Sequence, residues 1–457
     1  MSRIFVNSSY LVGRDLRRYL AGAAAARAGD EMSGPALLLL GFAVTERPGT
    51  GSGLLASLTI AGAAGGPLFG ALLDRSRRPD RLLAWTLAAY ALGIVAVQAA
   101  VGQLPMPALA AIALFAGLFN PAVTGGWTAQ LPRVVTEREL ERGSALDALT
   151  FSAASLAGPA LAAGIAAGIG ARAAVLTAAA LVTLAVPAAC TLSRYRPAAV
   201  AGEDREPMTL GRMTPGRMTL GPMTLGRQMA AGFAVIIARR PLRRATVTSV
   251  VSYAGIGMLL VCCPVLGAER LGGPARGALL ISAIAVTSLT ANAILARWPG
   301  PPRRRRPGYP RPDTWVLAST LVIGVSMAAA AVAPGWLTLA AVALGGAGEG
   351  PQLTALLAVR HRETPAHLRG QVYTTAASLK IAGLAAGAAL AGPLVGWSVT
   401  GCLLIAAGIE LGAAAAYLMA GFSRPGRREP AVGARTAGVP PGRARTGAVA
   451  DRPVRSG

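Results

Sequence analysis

The stretch Gly66-Pro67-Leu68-Phe69-Gly70-Ala71-Leu72-Leu73-Asp74-Arg75-Ser76-Arg77-Arg78-Pro79-Asp80-Arg81 decides how this chain is read. An apolar, glycine-spaced run stops at an aspartate. A short, very basic turn follows, and a second apolar run opens at Leu82. Gly62, Gly66 and Gly70 recur at every fourth position, so they share one helix face and let another backbone come close. Four arginines, Arg75, Arg77, Arg78 and Arg81, crowd the seven residues after Asp74. A helix apolar on all its faces does not suit the surface of a soluble protein, so the run ending at Asp74 reads as membrane-spanning.

The rest of the chain has the same texture. Of 457 residues, 53% are hydrophobic and only 14% charged, and mean hydropathy is +0.51. That is the composition of a polytopic membrane protein, not of a globular enzyme. A net charge of +24 would suit nucleic-acid binding in a soluble chain. Here the basic residues sit where cytoplasmic loops of a membrane protein collect them, so no nucleic-acid partner is expected. All but one of the 44 basic residues are arginine, the exception being Lys380, which reflects a GC-rich genome rather than a function. Cys190, Cys262, Cys263 and Cys402 fall inside apolar runs and read as buried small hydrophobes. His361 and His367 share one short loop with no cysteine nearby, so no metal site is expected. Residues 1–18 are polar and carry Arg3, Arg14, Arg17 and Arg18, which argues against a cleavable signal peptide.

Apolar runs of about twenty residues number twelve. They lie near 20–45, 52–73, 82–102, 107–130, 146–168, 172–193, 245–267, 275–296, 314–333, 336–359, 371–394 and 397–419. The thinnest separations are Gly170-Ala171-Arg172 and Pro334-Gly335. With the N-terminus inside, only Arg47, Arg172, Arg270 and Arg276 fall in outer loops, Arg27 and Lys380 fall within spans, and every other basic residue is cytoplasmic. The reverse orientation would violate the positive-inside rule. An even count of spans returns the C-terminus to the cytoplasm, giving a multi-pass membrane protein with both termini inside.

Five regions follow: a cytoplasmic N-terminus, 1–19; a six-helix bundle, 20–193; a linker, 194–244; a second six-helix bundle, 245–419; and a basic tail, 420–457. Arg133 and Arg360 are 227 residues apart, and so are Arg142-Gly143 and Arg369-Gly370. The shared offset reads as a weak parallel repeat of six helices plus six. The linker carries MTLGR MTPGR MTLGP MTLGR at 208–227, too short a period for a solenoid and too polar to build a core, so it reads as a flexible tether. The Pro/Gly/Arg-rich tail after Phe422 is expected to be solvated and disordered, with anionic lipid as a partner for its charge.

Ionisable residues inside spans are costly and are functional candidates by default. Arg27, Asp30 and Glu31 lie in the first span at spacings that put both carboxylates within reach of the arginine. One carboxylate is then neutralised. The other is left over, and a buried carboxylate without a cation takes up a proton or another cation. Glu349 sits in the tenth span within Gly345-Gly346-Ala347-Gly348-Glu349-Gly350-Pro351, a run expected to loosen that helix. Lys380 in the eleventh span is a counter-ion for a carboxylate, with Glu349 the nearest guess. Glu410 in the last span has no evident role. In the fifth span, Gly158-Pro159 frees a backbone carbonyl and makes a hinge.

The stretch 66–81 resembles the signature loop between helices 2 and 3 of major facilitator superfamily transporters, with Gly66, Gly70, Asp74, Arg75 and Arg78 as its matching residues and Arg77 in place of the usual second glycine. Gly158-Pro159 resembles the helix 5 motif of facilitator antiporters, although Ala154 and Ala162 stand where glycine is usual. Asn120-Pro121 lies in the fourth span, which lacks the arginine many proton antiporters carry there. The resemblance covers residues 15–420 and is nearest to bacterial twelve-helix drug exporters. It implies an all-α fold of two six-helix bundles, with the first, fourth, seventh and tenth spans lining a central cavity. Asp30 and Glu349 are then near substrate, and Asp74 with its arginines forms a cytoplasmic latch whose aspartate accepts hydrogen bonds from a helix N-terminus or an arginine.

The expected function is secondary active transport by alternating access: proton-coupled efflux of a drug-like or secondary-metabolite compound, small and amphipathic, cationic compounds included. A monomer is expected, with no cofactor beyond the proton gradient. A nutrient importer or facilitator of the same fold is the nearest alternative, and a non-transporting membrane sensor or scaffold is a second. No Ser/His/Asp, Cys/His or metal-ligand set converges, so the chain does not read as an enzyme.

Overall fold

A computed structural model describes residues 2–46, 48–136, 139–192, 225–273, 276–297 and 312–422. The first half comprises α1 (Ser2–Thr45), α2 (Pro48–Arg75), α3 (Pro79–Ala100), α4 (Met106–Gly117), α5 (Leu140–Gly168), α6 (Ala171–Leu184) and α7 (Val186–Thr191). The second comprises α9 (Arg240–Leu271), α10 (Gly277–Arg297), α11 (Pro312–Val332), α12 (Leu337–Glu363), α13 (Arg369–Trp397) and α14 (Val399–Phe422). A π-helical turn, Ala122–Gly126, extends α4, and α7 extends α6, so each half is six rods. Ten helices among the described residues are long and apolar enough to cross a membrane by themselves. The other two rods, α1 and α12, carry Arg27, Asp30, Glu31 and Glu349, which lower their hydropathy.

The thinnest separations in the sequence turn out to be tight reversals on glycine. Gly170 (φ 113°) joins α5 to α6, and Gly335 (φ 48°) joins α11 to α12; both occupy the left-handed region that L side chains avoid. Trp336 and Trp397, at the start of α12 and the end of α13, are exposed at the end of the molecule opposite the basic turn, where aromatic belts sit. Trp85, Leu92 and Ile60 are exposed around the outside, as lipid-facing residues are.

Several expectations change. α1 begins at Ser2, so the first residues continue the first rod instead of forming a separate terminus. Residues 225–238 of the linker form a further helix, α8 (Leu225–Ala238), and 240–244 belong to α9. Gln228, Gly232 and Ile236 recur every fourth residue and are buried, which gives α8 a packing face. Only the last three residues of the pentapeptide repeat fall in α8; the rest of it, the Arg303–Arg306 run and the tail lie outside the described residues. The glycine run of α12 does not interrupt that helix. It admits neighbours instead: a Cβ on Gly346 would sit 2.2 Å from the Ile284 carbonyl, and one on Gly350 2.5 Å from that of Ser288. Cys190 is exposed, whereas Cys262, Cys263 and Cys402 are buried.

Each bundle has its own apolar core. One runs from Tyr19 to Leu192, the other from Ile256 to Ala407. The first also takes in Leu353, Leu357 and Tyr373 from the second bundle, so the two bundles touch through apolar side chains there.

Candidate functional site

The candidate residues of α1 are divided among different partners. Arg27 is buried and pairs with Asp147 of α5, Nη1 to Oδ1 at 2.9 Å. It also donates to the Asp147 carbonyl (2.9 Å), to Thr128 (2.9 Å) and to Thr150, and its guanidinium lies 3.6 Å from the centre of the Phe151 ring. Asp147 is filled in turn by the Tyr19 hydroxyl and the Thr128 hydroxyl, both at 2.8 Å. The expected neutralisation of Asp30 or Glu31 by Arg27 is therefore corrected. A helical side chain leans toward the helix N-terminus, and an arginine placed before its acid is the weaker order of pair. Arg27 leans away from the acids one turn ahead and meets α5.

Asp30 and Glu31 are left to neutral donors. Asp30 accepts the Tyr90 hydroxyl at 2.6 Å and the Asn120 amide. Asn120-Pro121 stands immediately before the π-helical turn that extends the fourth rod. Glu31 accepts the Ser155 hydroxyl at 3.1 Å. A Cβ on Gly158 would lie 2.6 Å from that of Glu31, so this glycine makes room for the carboxylate-bearing turn. α5 runs unbroken through Pro159, which faces the cavity.

In the second bundle, Tyr253 of α9 stands between Glu349 and Lys380. Its hydroxyl donates to Glu349 at 3.4 Å and accepts from the Lys380 ammonium at 3.2 Å. The guessed Lys380–Glu349 pair is thus a bridge through a phenol. Glu410 is fully buried and accepts the Ser252 hydroxyl at 2.8 Å. Ser252 also receives Gln352 at 3.1 Å, which ties α14 to α9 and α12. Glu410 is therefore part of the second bundle's interior polar network, away from the cavity lining.

Asp30, Glu31, Glu349 and Lys380 all line one cavity of about 520 Å³ between the bundles. Leu58, Ile256, Leu260 and Ile284 give it apolar walls. This size and mix suit a drug-sized amphipathic guest. Arg360, in the last turn of α12, also lines it.

On the side of the basic turn the cavity is closed by the glycine stripe of α2 against α13. Gly66 donates its N–H to Ser378 (3.1 Å), Thr374 donates to the Gly66 carbonyl (2.7 Å) and Ser378 donates to that of Gly62 (2.9 Å). A Cβ on Gly70 would sit 2.4 Å from Gln371 Cα. At the end of the stripe, Asp74 accepts the backbone N–H groups of Gly370 (2.7 Å) and Gln371 (2.8 Å), which lie in the first turn of α13, where N–H groups have no partner within the helix. Arg75 ends α2 and Arg78 precedes α3, both exposed. Gln371 also donates its side-chain amide to Met229 of α8 at 2.8 Å, so α8 lies over the same junction.

Sequence reading missed Asp147, Tyr90 and Tyr253, and it placed Arg360 in a loop. The available signals were an acid in the first turns of an otherwise apolar helix and tyrosines facing inward at helical spacing from small residues.

The Major Facilitator Superfamily model matches residues 19–310. Among proteins of curated function there is no match. Three similar solved structures are the human organic anion transporter MFSD10 (TM-score 0.65, 16% identity, 89% of this chain and 99% of that one), a bacterial homologue of the iron transporter ferroportin in an outward-facing state (0.66, 14%, 89% and 99%) and the E. coli fucose:proton symporter FucP (0.62, 12%, 90% and 98%). At these identities they establish the fold. Family match, twelve-rod fold and central cavity together lead to one conclusion: the chain belongs to the Major Facilitator Superfamily and is a multi-pass secondary transporter of small molecules, not an enzyme.

Proposed function

We propose that this transporter exports a drug-like or secondary-metabolite compound across a bacterial inner membrane in exchange for protons, with both termini and the basic turn in the cytoplasm. The observation that carries the reading is the pair Asp30 and Glu31. Both line the cavity, both are bonded to neutral donors, and the nearest arginine on their own helix is committed to Asp147. A carboxylate so placed can exchange a proton for a substrate without breaking an ion pair. The Arg/Gly-rich loops support the orientation. On that orientation, the seam of α2 against α13 is the cytoplasmic gate, held by Asp74, and the cavity lies on its outer side.

Proteoliposomes with an imposed pH gradient test this. Acid outside should drive substrate out in wild type, and Asp30→Asn with Glu31→Gln should cut gradient-driven flux by at least tenfold while substrate exchange without a gradient persists. Flux of the double variant equal to wild type would refute proton coupling through these residues. Net accumulation in the opposite direction would make the protein an importer of the same fold.

A further inference from the structure

We infer that the transported compound carries an acidic group, a carboxylate, sulfonate or phosphate, received by Arg360 at the floor of the cavity; this rests on the reading of that cavity as the transport site. Among the described residues, two cations line the cavity. Lys380 is engaged with Tyr253. Arg360 is 4% exposed, and its Nε and Nη2 are buried with no hydrogen-bond partner. Among the described residues no carboxylate forms an ion pair with it. These two nitrogens make up one edge of the guanidinium, the edge that grips an oxyanion through two parallel N–H···O bonds. A buried guanidinium edge without an acceptor is costly, so an anion delivered to it is strongly favoured.

The position fits a guest delivered through the cavity. Arg360 lies eleven residues beyond Glu349 on the same helix, about 16 Å further along its axis toward the basic turn. The acidic residues therefore occupy the middle of the cavity and Arg360 its closed end, separating the charges. Thr124, another lining residue, has a buried hydroxyl without a partner. Between floor and middle the walls are apolar at Leu353 and Leu357. A compound with an acidic head and an apolar body matches this sequence of surfaces. Arg27 provides the contrast: the chain supplies its anion as Asp147.

The test uses the full chain in nanodiscs and matched probes: 2-naphthoate, naphthalene-2-sulfonate and 2-naphthyl phosphate against neutral 2-naphthamide, with inorganic sulfate as a separate arm. Affinity is read by titration without any gradient. At least one acid should bind at least tenfold tighter than the amide to wild type. Arg360→Gln should level acid and amide, and Arg360→Lys, which keeps charge but loses the fork, should retain a reduced preference. If Arg360→Gln does not elute as a folded species, the wild-type preference and its reduction in Arg360→Lys decide. The inference is overturned if no acid outbinds the amide, if the preference survives in folded Arg360→Gln, or if sulfate alone binds as tightly as the organic acids. Failed proton-driven flux with an intact acid preference would count against the exporter reading alone; intact flux with no preference would count against this inference alone.

Discussion

Two of the seams along which the bundles meet are built differently. In the seam between α2 and α13, glycines bring the backbones together, Ser378 and Thr374 bond to carbonyls, and the carboxylate of Asp74 accepts from two backbone N–H groups. In the seam between α5 and α10, side chains meet: Ser152 lies 3.0 Å from the Ser288 hydroxyl and receives the Asn292 amide at 2.9 Å. The sequence that follows α10, from Trp298 to Arg311, contains no acid to play the part of Asp74. One seam is therefore closed by a charge on a helix terminus, the other by neutral hydrogen bonds. The charged seam can be switched by proton or solvent access at one residue. Among the described residues, the hydrogen bonds of the neutral seam involve no ionisable group.

The largest effect that would break this contrast is steric. Gly70→Val places a methyl-bearing Cβ against the Gln371 backbone, so α2 and α13 must separate. Overpacking of this kind costs about 3 kcal/mol or more, roughly a hundredfold or more against the closed seam; proteoliposome flux should fall to background. Asp74→Asn comes next. It removes the charge and one of two acceptors, about 2 kcal/mol for charge-assisted bonds and roughly thirtyfold in the ratio of closed to open seam. Flux should drop while membrane insertion and detergent-solution Tm stay near wild type. Ser152→Ala, in the neutral seam, should cost about 1 kcal/mol, roughly fivefold, and flux should fall only a few-fold. If Ser152→Ala proved as damaging as Asp74→Asn, the two seams would be equivalent and the contrast would fail.

Much of this was legible in the sequence. Unbroken apolar runs of membrane length declare rods whatever their neighbours, and glycines four apart before an aspartate and a basic turn announce a close helix contact at Asp74. Asp30, Glu31, Glu349 and Lys380 stood out because charge inside a span is expensive. Their partners were not legible. Arg27 meets an aspartate 120 residues away, and Tyr253 stands between two charges from two other helices; such pairings depend on rotation and tilt of whole rods, which local spacing does not encode. α8 was hidden because its packing face is Gln228, Gly232 and Ile236, a face of modest apolarity next to a low-complexity repeat. Glu410 lacked an explanation for the same reason: its partner, Ser252, comes from another helix.

The most direct test of the gate is a distance across it. Spin labels at Arg77→Cys, beyond the end of α2, and Ala366→Cys, before α13, both exposed positions, would be placed in a chain whose four native cysteines are replaced by alanine. Double electron–electron resonance in nanodiscs should give a short distance as the main population, and Asp74→Asn should move most of it to a longer one. An unchanged distribution in Asp74→Asn would contradict the claim that this carboxylate holds the bundles shut.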